Sequence, residues 1–158
     1  AILEAPSHTM GTFLLNVLGE GLVLSVFRSG EMIAKTQVDK EIFRRCLQDE
    51  ARHVSYGVLE LKSYLEHHKD HDAAVEEMHR FCDVGEQVIL SAFTEPALIE
   101  PVAVLLGGSL KKVDEGMEGL QHLWTMFIDE YLQRCACAGF DRADRCTIPR
   151  HLPWKAAA

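Results

Sequence analysis

The run from Thr12 to Phe27 constrains the fold most, because it is rich in leucine, valine and phenylalanine and contains one charged residue, Glu20. In a regular helix, Phe13, Asn16, Leu24 and Phe27 lie within about 40° of Glu20, so the carboxylate shares a face with apolar side chains. Burying a carboxylate is costly unless it is protonated, paired or bound to a metal. The run therefore predicts a core helix whose Glu20 is a metal ligand, a member of a buried ion pair, or a residue at the rim of the core.

Helical periodicity extends along most of the chain, and no segment is predicted to be a strand. The predicted helices cover residues 10–29, 36–67, 73–93, 96–106 and 109–138. Gly30, Gly107-Gly108 and Gly139 are the expected stops, and residues 66–72 are expected to form a polar turn. These features predict a single all-α domain over residues 1–158, ending in an irregular tail at 141–158.

A second group of metal-type residues lies on the second helix. Glu50 and His53 form a Glu-x-x-His pair, and this spacing places the carboxylate and the imidazole on one helix face. Helical bundles hold iron or manganese with such pairs and with further glutamates from neighbouring helices. The pair is common on surface helices, but in combination with Glu20 on the preceding helix it favours a metal site.

The segment from Cys46 to Gly57 resembles the D-E-x-R-H motif in the last core helix of ferritin-like di-iron carboxylate proteins. That superfamily includes ribonucleotide reductase small subunits, acyl-carrier-protein desaturases and arylamine N-oxygenases. The segment from Gly19 to Phe27 resembles their third core helix, which carries a lone glutamate ligand. The resemblance covers residues 10–66 and implies a ferritin-like helical bundle. The last two core helices would form a metal-site hairpin at 10–68, followed by additional helices at 70–140.

The resemblance implies that Glu20, Glu50 and His53 are metal ligands of a di-iron site, with manganese as the other candidate metal. Asp49 would accept a hydrogen bond from a ligand histidine on another helix and so orient its ring. For three further residues, packing is preferred over a role at the metal: Cys46, Tyr56 and Tyr64.

The function implied is that of a di-iron oxidoreductase, an oxygenase or oxidase that uses O₂ to modify an unidentified small organic molecule. An iron-binding or storage protein with the same ligands is one alternative. A non-catalytic helical interaction module, in which Glu20 belongs to a buried ion pair, is another. The fold class does not decide among them, because one bundle architecture hosts many activities.

The family pattern also requires a second glutamate and a second Glu-x-x-His pair, normally on two earlier helices. Only Glu4 and His8 offer such groups before the first predicted helix. The remaining ligands would come either from an N-terminal segment absent from this sequence or from a second chain across a two-fold axis. In both cases an apolar face of the first two helices is expected to be uncovered, which predicts a homo-oligomer, with a homodimer as the simplest form.

Composition limits the remaining function classes. A formal charge of −8 and a pI near 5.4 argue against a nucleic-acid partner. Five cysteines, an odd number, favour a reducing and therefore cytoplasmic setting. The apolar run Thr12 to Phe27 is shorter than the roughly 20 residues that span a bilayer, so no membrane span is expected.

Overall fold

A computed structural model describes residue 3 and residues 5–152, and within this part the regular structure is entirely helical. The all-α prediction is thereby confirmed for the described residues. Glu4 and residues 153–158 of the predicted tail lie outside them. The elements are α1 (His8–Thr12), a π-helical segment (Phe13–Gly19), α2 (Glu20–Ile33), α3 (Gln37–His67), α4 (His71–Ala92), α5 (Pro96–Gly107) and α6 (Val113–Ala138), with 3-10 turns at Leu110–Lys112 and Ala143–Arg145.

The first helix is longer than predicted, because α1, the π-helical segment and α2 follow one another without a break. Ser7 caps its start by accepting a hydrogen bond from the backbone N–H of Met10. The expected stop at Gly30 is wrong, since α2 continues to Ile33. A Cβ on Gly30 would lie 2.5 Å from the ring of Phe43. Gly30 therefore serves the close approach of α2 and α3 and does not end the helix.

The prediction for α3 is confirmed at both ends. The Thr36 hydroxyl accepts a hydrogen bond from the backbone N–H of Asp39 and caps the helix, which ends at His67. The predicted turn at 66–72 is shorter than expected. Asp70 caps α4 by accepting from the backbone N–H of Ala73, so α4 begins at His71.

The helices α5 and α6 are packed backbone to backbone. A Cβ added to Gly116 of α6 would lie 1.8 Å from the carbonyl oxygen of Ala103 in α5, so only glycine fits there. Gly108 and Gly139 end α5 and α6 with φ values of 76° and 108°, as the sequence predicted. The predicted start of the last helix at Ser109 differs from the structure, where a 3-10 turn precedes α6.

The hydrophobic core joins the π-helical segment, α3, α4 and α6. Its largest fully buried apolar side chains include Phe13, Leu61, Met78, Trp124 and Phe127. From residue 139 to residue 152 the chain is irregular apart from the 3-10 turn, as predicted for this part of the tail, but it packs on this core through buried residues such as Phe140, Arg142 and Ile148.

A buried ion pair attaches that C-terminal chain to α4. The fully buried side chain of Arg142 donates from Nε to Oε1 of Glu86 over 2.8 Å, and it also pairs with Asp83. Tyr131 and Thr147 donate further hydrogen bonds to the same Glu86 carboxylate. Burial alone would raise the pKa of Glu86, but the hydrogen bonds from Arg142, Thr147 and Tyr131 outweigh it and lower the pKa. The carboxylate is thus fully partnered inside the core.

By length and composition, the continuous helix His8–Ile33 could cross a membrane, and the bent pair formed by α4 and α5 meets the same test together. In the fold, 44% of the most apolar window of His8–Ile33 is buried. Core helices of soluble proteins also pass this test, so the indication is weak. The helix is nevertheless longer than the apolar run on which the expectation rested, and the absence of a membrane span stays a prediction.

Candidate metal centre

The three predicted metal ligands converge where α2 faces α3. Glu20 is the first residue of α2, and Glu50 and His53 lie one turn apart in the middle of α3. Nδ1 of His53 lies 3.5 Å from Oε1 of Glu20 and 3.4 Å from Oε2 of Glu50. One donor atom from each side chain falls within 4.8 Å of the others, a spacing at which one cation can contact all three.

The partial burial of the two carboxylates is consistent with a bound cation. The side chains of Glu20 and Glu50 are each 21% exposed, whereas His53 is 51% exposed. Oε2 of Glu50 is inaccessible to solvent and has no hydrogen-bond partner among the described residues; the His53 imidazole is near it but forms no hydrogen bond. A buried oxygen without a partner is unfavourable and requires an explanation. A metal ion held by the two carboxylates and the imidazole would supply such an explanation.

Asn16 orients the first carboxylate. Its side-chain amide Nδ2 donates to Oε2 of Glu20 over 2.6 Å, so the other oxygen of Glu20 is the one that lies near His53. On α3, Gly57 allows this part of the first helix to come close, because a Cβ on Gly57 would lie 2.7 Å from the Cβ of Asn16. The sequence predicted that Asn16 shares a face with Glu20 but gave it no role at the site.

The π-helical segment ends immediately before Glu20, and the sequence did not predict it. Such segments are rare and are frequent at functional sites. The wider turn changes which side chains lie together, because a prediction at 100° per residue assumes a regular α-helix. Phe13, at the start of this segment, is fully buried, with its ring centroid 6.4 Å from that of Tyr131.

Asp49 and Cys46 flank the cluster without joining it. The Asp49 side chain is 68% exposed and pairs with Arg52 one turn further along α3. Its predicted role as hydrogen-bond acceptor for a ligand histidine on another helix stays a prediction. Cys46 is half-buried and lines a shallow depression with Val38 and Ile42.

The two tyrosines of α3 differ in their burial and in their hydrogen-bond partners. Tyr56 is 56% exposed, so the expectation that it packs in the core is wrong. A hydrogen bond with Glu60 is the main cause that raises the pKa of Tyr56, and Nδ1 of His8 lies 2.7 Å from the same carboxylate. Tyr64 is half-buried and its hydroxyl donates to Glu77, which raises the pKa of Tyr64 to about 12.

The prediction that Glu50 and His53 form the one Glu-x-x-His pair of the sequence is wrong, because Glu76 and His79 in α4 have the same spacing. The structure separates its two side chains into different interactions. Glu76 pairs with Arg145 at the surface. His79 is buried beside Arg142, and burial lowers the pKa of His79 more than any other cause. This pair therefore supports the C-terminal chain and does not complete the site at Glu20.

No family model, curated protein or solved structure matches this chain. For the described residues, the structure establishes an all-α helical bundle with a Glu–Glu–His group on two facing helices. The ferritin-like resemblance stays an expectation that rests on the lone Glu20 and on the D-E-x-R-H motif of α3.

Proposed function

We propose that Glu20, Glu50 and His53 form part of an iron site in an O₂-dependent di-iron oxidoreductase. The observation that carries the proposal is the convergence of the three side chains around a buried oxygen of Glu50 that has no hydrogen-bond partner. Carboxylate oxygens and imidazole nitrogens suit iron, and they accept manganese as well. Iron bound by such ligands supplies the chemistry for oxidising an unreactive organic molecule with O₂.

The roles of the chain's own residues follow from their contacts. Glu20, Glu50 and His53 bind the metal, and Asn16 holds one oxygen of Glu20 so that the other faces α3. Val17, three residues before Glu20, and Val54, next to His53 in α3, are both buried, so the inner side of these helices is apolar. His53, which is half-exposed, marks the outer side, where further ligands would approach.

Three ligand side chains are fewer than a di-iron site needs, so the proposal requires ligands from outside this chain's described cluster. A preceding segment of the same protein is one source, and a second copy across a two-fold axis is the other. Exposed apolar side chains on the first helix and α3 support contact with such an element, whichever it is. They include Leu15, Ile42 and Leu59.

The experiment that tests the function combines iron loading with exposure to O₂. Protein loaded anaerobically with Fe(II) is mixed with buffer containing O₂, and oxidation to Fe(III) is followed by absorbance for the wild type and for His53→Ala. The proposal predicts rapid oxidation limited to the bound iron, and its loss in the variant. Continued uptake of many irons per chain would instead indicate storage. Failure to bind iron by a folded protein that includes any preceding segment would favour the interaction module, whereas failure by this chain alone would also fit a site that lacks its other ligands.

A further inference from the structure

A cavity of about 530 Å³ lies between the α2–α3 hairpin and α5. Its volume is within the range of roughly 300–1,000 Å³ that is typical of small-molecule sites. None of Glu20, Glu50 and His53 lines it. Gly30, which does line it, is ten residues beyond Glu20, so the cavity is about 15 Å along the helix from the metal ligands. Its walls are mainly apolar and include Val26, Ile33, Phe43, Val102, Leu105 and Leu106.

The cavity exists because its two walls are each packed firmly within themselves. On one side, Gly30 lets α2 approach the ring of Phe43 closely. On the other side, α5 packs chiefly against α6, where Gly116 touches the backbone of Ala103. The α2–α3 hairpin also packs against α6, so α6 holds the two walls in a fixed relation to each other. The gap therefore persists as a feature of the fold.

Apolar side chains reach into this space without a partner. Val26 and Ile33 of α2 are each 41% exposed, and Leu105 of α5 is 67% exposed. All three line the cavity, so one ligand can cover them together. Removing this apolar surface from water is favourable, and an extended aliphatic chain has the shape to do it between two helices.

The charged residues that line the cavity indicate which charge a polar head group on such an aliphatic ligand would carry. Lys35 lies in the α2–α3 connection and pairs with no carboxylate of the described residues. Asp39, the other ionised residue of the lining, accepts a hydrogen bond from the Thr36 hydroxyl and lies in the first turn of α3. The helix dipole offsets a negative charge at that position. Lys35 is therefore the group left to attract an ionic ligand.

We propose that this cavity binds a single aliphatic chain carrying one negative charge, with the chain between the hairpin and α5 and the head group at Lys35. The site does not depend on the metal centre, so metal-free protein is used to test it. The probe is dodecanoate, titrated below its micelle concentration and followed by calorimetry. Dodecyltrimethylammonium, with the same chain and the opposite charge, is the comparison ligand.

Two kinds of variant distinguish binding of the ligand's aliphatic chain from binding of its charged head group. Val26→Trp and Ile33→Trp fill the cavity from partly exposed positions, and each is expected to weaken dodecanoate binding at least tenfold. Lys35→Gln is expected to weaken it about two- to fivefold, the range of a single exposed ion pair. Lys69→Gln, an exposed lysine in the α3–α4 connection, is the matched control and leaves binding unchanged. Circular dichroism verifies that each variant is folded.

The proposal is overturned if folded wild-type protein gives no saturable binding of dodecanoate. It is also overturned if both tryptophan variants bind as the wild type does, or if Lys69→Gln weakens binding as much as Lys35→Gln. Equal affinity for the cationic amphiphile would contradict the assignment of the head group to Lys35. The iron-loading experiment has an independent outcome, so failure here leaves the proposed function unaffected.

Discussion

Nδ1 of His53 lies 3.5 Å from Oε1 of Glu20, although the two residues belong to different helices. The contact joins the start of α2 to the middle of α3, and Glu50 approaches the same imidazole from His53's own helix at 3.4 Å. A histidine between two carboxylates can form an ion pair when protonated or share a metal ion with them when neutral. In the second arrangement the metal ion would also contact Oε2 of Glu50, the buried oxygen that has no hydrogen-bond partner among the described residues.

The first prediction concerns Asn16, which donates to Oε2 of Glu20, whereas Oε1 is the oxygen near His53. Asn16→Ala is expected to weaken Fe(II) or Mn(II) binding about tenfold, because groups that orient a ligand typically contribute 10–100-fold to affinity. Competition with a chromophoric chelator measures this. Gln48→Ala removes an exposed amide elsewhere on α3 and is the control. Wild-type affinity in a folded Asn16→Ala protein would contradict the role.

Two glycines three residues apart in α6 should respond to alanine in opposite directions. At Gly116 an added Cβ lies 1.8 Å from the carbonyl oxygen of Ala103, so Gly116→Ala is expected to lower the free energy of unfolding by about 1–3 kcal/mol. At Gly119 the nearest atoms are 3.6 Å away, and Gly119→Ala should raise it by about 0.5–1 kcal/mol through helix propensity. Urea unfolding of both variants provides the comparison. Similar effects at the two positions would argue against the tight α5–α6 contact.

The buried pair of Arg142 and Glu86 should matter far more than a surface pair. Arg142→Ala leaves the Glu86 carboxylate buried without its cation and is expected to lower the free energy of unfolding by about 3–5 kcal/mol. Arg150→Ala breaks an exposed pair with Asp129 and should change it by less than about 1 kcal/mol. Denaturant midpoints distinguish the two. A small effect of Arg142→Ala would mean that the C-terminal chain does not depend on this pair.

The free energy of unfolding should decrease as the pH is lowered, and it should do so in two separate pH ranges. Burial, together with Arg145 and Arg142, lowers the pKa of His79 below its ordinary value of 6.5. The folded state then binds fewer protons at His79 than the unfolded state, so stability is lost as pH falls below about 6.5. The lowered pKa of Glu86 gives the same sign, with the loss beginning below its ordinary value of 4.5.

Variants assign each window to its residue. His79→Gln should flatten the dependence of unfolding free energy on pH between about pH 7 and 5, while leaving the acidic slope in place. Glu86→Gln should reduce the slope below about pH 4.5. Urea unfolding at a series of pH values measures both. An unchanged slope between pH 7 and 5 in His79→Gln would show that another group titrates there.

The sequence predicted helix ends well where the residue that ends the helix acts on the backbone next to it. The second predicted helix begins at residue 36, and the structure has Thr36 as the N-cap of α3; Gly139 ends α6 as expected. Gly30 gives the same local signal as a helix stop, but its role depends on the ring of Phe43 in the next helix. A sequence without contacts does not distinguish these two uses of glycine.

In the candidate site, too, some features follow from sequence spacing and others depend on the three-dimensional structure. The spacing of Glu50 and His53 could be read from the sequence, and the isolation of Glu20 marked it as unusual. The π-helical segment could not be read, because helix angles were assumed to be regular. The partnership of Glu86 with Arg142 was missed as well. A signal existed, since Met78, Cys82, Glu86 and Ile89 share the 3–4 residue spacing of a buried face, but its partner lies in a segment without periodicity.

The most direct test of the account is an anaerobic titration of Fe(II), with bound iron counted per chain for wild type, Glu50→Ala and the exposed control Glu66→Ala. Sedimentation of the same samples gives the oligomeric state. The account predicts specific binding that Glu50→Ala removes and Glu66→Ala retains, with about one iron per chain and dimer formation if a second copy completes the site. Equal iron binding by the wild type and a folded Glu50→Ala protein would contradict it.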